Sequence, residues 1–213
     1  MIIEFAQQEF LLTPERALIH QEEATAFIAD LHLGKSAHFR KSGIAIPQNI
    51  PDTDIGSIRE LVHRYALQKI YILGDLFHSA YNTEWSKFEQ LMEELKEVDF
   101  ILIKGNHDIL PQNIYNNSKL TIQEEPYLWK GIELRHLPHS PNTDAPFNIA
   151  GHIHPGVIMK GKARATIKLP CFLVSNRQII LPAFGRFTGL FQDKERKSYS
   201  KYGILSEKLI KID

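Results

Sequence analysis

Five short apolar runs in this chain stop at residues of one chemical kind. AFIADLH ends in Asp30 and His32, IYILGDLFH in Asp75 and His78, and ILIKGNHD in Asn106, His107 and Asp108. IELRHLPH ends in His136 and His139, and FNIAGHIH in His152 and His154. Seven of the ten histidines lie in these pieces. Each Ile/Leu/Phe-rich run reads as a buried strand. One polar strand end is an ordinary turn. Five of them, in open sheets where ligands gather beyond the carboxyl ends of the strands, converge on one place. A fold for this chain must bring those ends together.

The segments between the runs say how. Residues 52–66, DTDIGSIRELVHRYA, read as a helix with Asp52 as its N-cap. Residues 83–97 form the clearest helix: Trp85, Phe88, Leu91, Met92 and Leu95 share one face at spacings of 3 and 4. That stripe is core, not a platform for stacking bases. FLLTPERALIH reads as two short strands around a turn at Thr13–Pro14. The order through residue 108 is then β-α-β-α-β, which implies parallel strands with helical crossovers. After residue 118 the texture changes. GIELRH, FNIAGH, GVIMK, RATIKLP, CFLVS and QIILPAF are short strands separated by Pro, Gly and Asn, with no obvious helices between them. The expected fold is α/β (α+β): two mixed sheets packed face to face and flanked by helices. The 213 residues suffice for one domain, expected to span 1–213, because a chain of this length buries roughly 70% of its unfolded surface. No repeat, low-complexity tract or linker interrupts it.

Composition removes some functions. Lys+Arg and Asp+Glu balance at 25 each, which argues against a protein built mainly to coat nucleic acid, though not against a local basic patch. The single Cys171 rules out an intramolecular disulfide and suits a reducing compartment. MIIEFAQQEFLL lacks a basic segment followed by a long apolar one, and no run approaches the ~20 apolar residues of a membrane span. A cytoplasmic protein with no membrane association is expected.

The donor types at the strand ends suit Mn, Fe or Zn, and the absence of Cys there argues against a thiolate site. Seven or eight N/O donors exceed what one ion takes. They suit two ions about 3.5–4 Å apart sharing a carboxylate, as in many phosphate-ester hydrolases.

In their order, Asp30-x-His32, Gly74-Asp75, Gly105-Asn106-His107-Asp108, His136 and Gly151-His152-x-His154 resemble the pattern of the calcineurin-like metallophosphoesterases. The resemblance spans about 125 residues. It implies a β-sandwich of two mixed sheets with flanking helices. It also implies that Asp30, His32 and His154 hold one metal, that Asn106, His136 and His152 hold the other, and that Asp75 bridges them. His107 is then the acid or phosphate contact near the leaving group, with Asp108 orienting its ring. His136 is preferred to His139 for the lone-histidine position because it closes its strand directly, whereas His139 lies beyond Pro138. Where the broad family has Asp or Asn, this chain has His78, a supporting and substrate-side position. ADLHLGK, HFRKSGIAIP, LGDLFHS, GHIHP, LPCF and LPAFGRFTG together resemble a bacterial subgroup, the ligase-associated DNA damage response endonucleases or phosphoesterases. That resemblance implies functional association with a DNA ligase and a helicase.

Other residues have competing readings. Arg40 either clamps a phosphate at the mouth or is a solvated arginine. Lys160, Lys162, Arg164 and Lys168, with Lys194, Arg196, Lys197 and Lys201, form either a basic rim or an ordinary solvated face. His20, His38 and His63 lie outside the motifs and read as ordinary histidines. Gly185 and Gly189 of LPAFGRFTG imply a tight turn near the site, while Arg186 has no role that the sequence supplies. The expected activity is hydrolysis of a phosphodiester by two Mn-type ions through a bridging hydroxide attacking phosphorus in line, with DNA or a nucleotide as leading substrate. Alternatives are a phosphomonoesterase, a cyclic-nucleotide phosphodiesterase, or a non-catalytic binding scaffold of the same fold.

Overall fold

The computed structural model describes residues 1–35, 50–77, 83–116, 118–141, 144–160 and 166–212. Two sheets face each other. The first runs β1 (Ile2–Phe5), β2 (Gln8–Leu12), β3 (Leu18–His20), β4 (Thr25–Ile28), β5 (Lys69–Leu73), β6 (Asp99–Ile103), β7 (Thr121–Gln123) in spatial as in sequence order. β4 to β7 pair in parallel. The second sheet contains β8 (Tyr127–Trp129), β9 (Ile132–Arg135), β10 (Asn148–Ala150), β12 (Thr166–Val174), β13 (Gln178–Ile180), β14 (Ser200–Leu205) and β15 (Lys208–Ile212). Its order is β15-β14-β12-β13-β10-β9-β8, with β11 (Gly156–Lys160) paired to β12 off that path. Here too β10 runs parallel to its neighbours β9 and β13.

After their first residues, Thr25, Lys69 and Asp99, the strands β4, β5 and β6 are apolar throughout because both faces are covered. Ala26, Ile28, Ile70, Ile72, Phe100 and Leu102 pack under the helices Ile50–Tyr65 and Thr83–Glu94. The alternate residues Phe27, Tyr71, Leu73, Ile101 and Ile103 pack on Trp129, Ile132, Leu134, Ile149 and Phe172 of the second sheet. Phe27 is fully buried, and truncating it to Ala is expected to cost about 3–5 kcal/mol. Both long helices lie on the first sheet. Val157, Leu169, Cys171, Leu173, Ile180 and Tyr199 form a separate small apolar cluster in the second-sheet half.

Three expectations shift. The first helix starts at Ile50 rather than after an Asp52 cap, with Pro51 in its first turn, where a missing N–H is least felt. The second ends at Glu94, not residue 97, because residues 95–98 turn into β6 while Leu95 stays buried. RATIKLP and CFLVS are one strand, β12. Its Pro170 sits where the partner changes from β11, at Gly156, to β14, beginning at Cys171–Gly203. A residue with no N–H is tolerated at such a switch.

Candidate metal centre

The parallel strands set the geometry. β4, β5 and β6 point their carboxyl ends the same way, and pairing continues past the strands. Asp30 N–H donates to the Gly74 carbonyl (3.1 Å), and His32 and Leu33 N–H donate to those of Asp75 and Leu76 (2.9 Å each). From the second sheet, Gly151 N–H donates to the His136 carbonyl (3.2 Å), tying the ends of β9 and β10 together. The sheets approach where glycine allows it. A Cβ on Gly74 (φ +77°) would stand 2.2 Å from His136 Nδ1, and one on Gly151 would stand 2.7 Å from Asp30 Oδ2.

Two groups of donors result, Asp30–His32–His154 and Asp75–His136–His152. Within each group one donor atom per residue lies within 4.8 Å of the others. In the first, His32 Nε2 faces His154 Nε2 at 3.2 Å, and Asp30 Oδ1 lies 3.5 Å from His154 Nε2. In the second, His136 Nε2 lies 3.0 Å from His152 Nδ1 and 2.9 Å from Asn106 Oδ1. Asp75 spans both: Oδ2 is 3.6 Å from His32 Nε2, and Oδ1 is 3.5 Å from His136 Nε2. Among the six carboxylate and imidazole residues of the two groups, Asp30, His32, Asp75, His152 and His154 have φ between 49° and 70°. Each non-glycine residue held there costs about 1–3 kcal/mol, and such strain concentrates at ligand clamps.

The chemistry of these groups fits divalent cations. Asp30 and Asp75 are buried carboxylates, 0% and 2% exposed. Buried charge needs compensation. Asp30 Oδ1 is buried with no hydrogen-bond partner among the described residues, while its Oδ2 accepts from His152 N–H at 2.8 Å. Imidazole nitrogens converge on one another: His32 on His154 at 3.2 Å and His136 on His152 at 3.0 Å. Burial, aided by His136, lowers the pKa of His152 and favours the neutral ring that ligates.

Asn106 and His136 are where the sequence pattern put them. The His136 ring is buried and its Nδ1 meets the Leu73 carbonyl at 3.1 Å, a contact that fixes its orientation. His139 turns away: its Nε2 pairs with Glu133 Oε2 at 2.8 Å. The His107 ring stands edge-on to His32, 5.5 Å between centroids, and its backbone N–H donates to Asp75 Oδ1 at 2.9 Å. It belongs to neither donor group. Asp108 is buried, and its oxygens accept from Gly105 N–H (2.9 Å) and Phe77 N–H (3.3 Å). Those bonds hold the loop that carries Asn106 and His107. Burial, against the pull of those amides, pushes the Asp108 carboxyl up to about 6. Arg40, His78, His38, Lys162 and Arg164 lie outside the described residues.

Some contributors gave no sequence signal. Glu125 Oε2 accepts from the N–H groups of His136 (2.6 Å) and Leu137 (3.1 Å), clamping the end of β9. Nothing in a Glu eleven residues upstream announces that. The LPAFG stretch does pack at the site: Phe184 N–H donates to the Ala29 carbonyl (2.7 Å) and Gly185 N–H to that of Asp30 (3.2 Å). A Cβ on Gly185 would stand 2.2 Å from the Leu31 oxygen. Arg16 holds this stretch from the other side, donating to the Ala183 and Gly185 carbonyls at 3.0 and 3.2 Å. Arg186, without a role in the sequence, anchors it to the first helix: its N–H lies 3.3 Å from both Asp54 oxygens, and its guanidinium donates to Ser57 Oγ at 3.1 Å. The half-buried Lys35 is within electrostatic reach of Asp30 and Asp75, though burial lowers its pKa. Arg196 is no rim residue. It is 6% exposed and pairs with Asp193 at 2.6 Å.

The calcineurin-like phosphoesterase family model matches residues 24–173, well over half of the chain, and the chain belongs to that family. It is accordingly a metal-dependent phosphoester hydrolase by class. Among solved structures, a Pseudomonas putida nuclease, MPE, has the same fold: TM-score 0.80, 24% identity, covering 100% of this chain and 99% of that one. Yfce, a phosphoesterase from E. coli, aligns with TM-score 0.47 and 16% identity over 88% of this chain and 97% of its own. No curated protein matches. Among the described residues no helix is long and apolar enough to cross a membrane.

Proposed function

We propose that the protein hydrolyses phosphodiesters with two divalent ions, Mn foremost, and that DNA or a nucleotide supplies the diester. The observation that carries this is Asp75, whose two oxygens face the two donor groups at 3.5 and 3.6 Å. In this reading Asp30, His32 and His154 hold one ion, Asn106, His136 and His152 the other, and Asp75 both. Two such ions would supply Lewis-acid stabilisation of the phosphoryl oxygens and an activated water. The residues of the chain do the rest. Buried Asp30 and Asp75 fix the charge and spacing of the centre. His136 is locked by the Leu73 carbonyl. His107 lies beside the centre and outside both donor groups, and its role in this reading is to bind a phosphoryl oxygen or to protonate the departing oxygen. Asp108 and Glu125 hold the loops. Arg40 and His78 are proposed on the substrate side, from resemblance alone.

The preference for DNA rests on two supports: the resemblance to the ligase-associated DNA damage response subgroup, and the shared fold of a Pseudomonas putida protein that is a nuclease. A role in DNA repair beside a ligase and a helicase follows from the same resemblance, and the cytoplasm is proposed from the sequence reading alone. The test is a hydrolysis panel. Protein loaded with Mn, Fe, Zn or Mg is offered a chromogenic diester, a monoester, cyclic nucleotides, and single- and double-stranded DNA. Diester and DNA cleavage with Mn is expected. Turnover confined to monoesters overturns the proposal, as does binding of one ion at saturation; turnover confined to cyclic nucleotides overturns the preference for DNA.

A further inference from the structure

The side chain of Phe191 is 61% exposed, the only aromatic among the large exposed apolar side chains of the described residues. Leaving a Phe out of the core forgoes about 1.5–3 kcal/mol of burial. Yet its backbone is firmly seated. Phe191 N–H donates to the His154 carbonyl (2.9 Å), and its own carbonyl accepts from Gly156 N–H (2.8 Å), forming a bridge opposite Pro155. A side chain on Gly156 would meet Leu190 Cβ at 2.7 Å, so the glycine is what lets this segment close on the residues after the Gly-His-x-His motif. An open groove of about 670 Å³ runs from His152, past Ile153, to Phe191 and the 192–196 stretch. His152 belongs to a donor group of the centre, so the groove opens directly from it. Its near walls are apolar. Its far end is electrically balanced: Arg196 is paired with Asp193, and Lys194 is followed by Glu195.

A phosphate chain would call for uncompensated positive charge there. A flat, weakly polar group beside the scissile phosphate would not. We infer that Phe191 is a specificity-determining platform on which a nucleobase next to the scissile phosphate stacks. The inference rests on the phosphodiesterase reading above. It makes the preferred substrate a nucleic acid with an unpaired base at that place, because a base inside a duplex must first give up its stacking and pairing, at a cost of about a few kcal/mol, to reach the ring.

The test compares three diesters sharing one leaving group: methyl 4-nitrophenyl phosphate and the thymidine 5′- and 3′-(4-nitrophenyl phosphates). Wild type should prefer one thymidine ester over the methyl ester in kcat/KM. Phe191→Ala should lower that preference roughly 5- to 100-fold, mostly through KM, the size of a base–aromatic stack removed by alanine. Phe191→Trp should keep it. An unchanged preference in Phe191→Ala overturns the inference while leaving the phosphodiesterase intact. If Mn-loaded wild type cleaves none of the three and no DNA, the phosphodiesterase reading has failed, and binding decides the stacking by itself. A single-stranded oligonucleotide should bind wild type and Phe191→Trp roughly 5- to 100-fold more tightly than Phe191→Ala, read by fluorescence anisotropy. Equal binding by wild type and Phe191→Ala refutes the platform.

Discussion

Two buried polar regions, one within the second-sheet half of the molecule and one where strand ends of both sheets meet, are built in opposite ways. Around Gln178 every group is answered. Its Nε2 donates to Asn148 Oδ1 (2.8 Å) and the His139 carbonyl (3.2 Å), while its Oε1 accepts from Tyr199 Oη and Arg196 Nε (3.1 Å each). Arg196 finishes with Asp193 (2.6 Å) and the His139 carbonyl (2.7 Å). At the centre, Asp30 Oδ1 is left unanswered and imidazole nitrogens face each other at 3.0–3.2 Å. A groove of about 680 Å³ adjoins the Gln178 network, as large as the one beside His152. Volume therefore does not separate the two regions. What separates them is whether the buried polar atoms complete one another. Satisfied networks rigidify a fold, and unsatisfied ones mark where something else must bind.

The contrast can be broken by exchange of roles. The largest effect is expected at Asp75. Asp75→Asn should lower the metal content from two per chain and leave less turnover than any other variant here, as read by elemental analysis and diester hydrolysis. Two retained ions would remove its bridging role.

His107→Asn should come next. It should keep both metals and the unfolding midpoint but lose about 10²–10⁴-fold in turnover, the usual worth of a general acid. The loss should be larger for an alkyl or nucleoside leaving group than for nitrophenolate. Equal losses would assign the ring to phosphate binding. A missing ion would make His107 a ligand.

On the other side of the comparison, Arg196→Met takes the charged partner from Asp193 and one donor each from Gln178 and the His139 carbonyl. Removing one partner of a buried pair costs about 3–5 kcal/mol, to be read from urea unfolding, with metal stoichiometry unchanged. His139→Ala should be milder than His136→Ala in both metal content and turnover, because only the His136 ring faces Asn106 and His152.

The smallest expected effect is at Asp54, which lies between these extremes: partnered by Arg186, yet with burial pushing its carboxyl up to about 6. Its folded pKa lies above the ~3.9 of an unfolded Asp, so the folded state binds the extra proton. Stability therefore falls as pH rises from about 4 to 6, by no more than about 2–3 kcal/mol. Asp54→Asn should flatten that part of the pH–stability curve. An identical slope in the variant would show that Asp54 does not titrate there.

Composition and pattern determined a good deal without any coordinates. Strands that are apolar at every position after the first had to be covered on both faces, so β4 to β6 and their crossovers were readable, and so were the polar residues at their ends. Strands with little core to bury were not: β1, β7, β8, β14 and β15 are short or half exposed, and their pairing gives no strong local periodicity. The same limit applies to side chains. That Asp30 and Asp75 end strands is a local fact. That Asp75 turns one oxygen to each group, that Glu125 holds the end of β9, that Arg196 is interior and that Arg186 ties a loop to a helix depend on contacts between residues distant in sequence. Adjacency in the chain fixes which groups are available. Only the packing of one sheet against the other fixes which of them face each other unpaired.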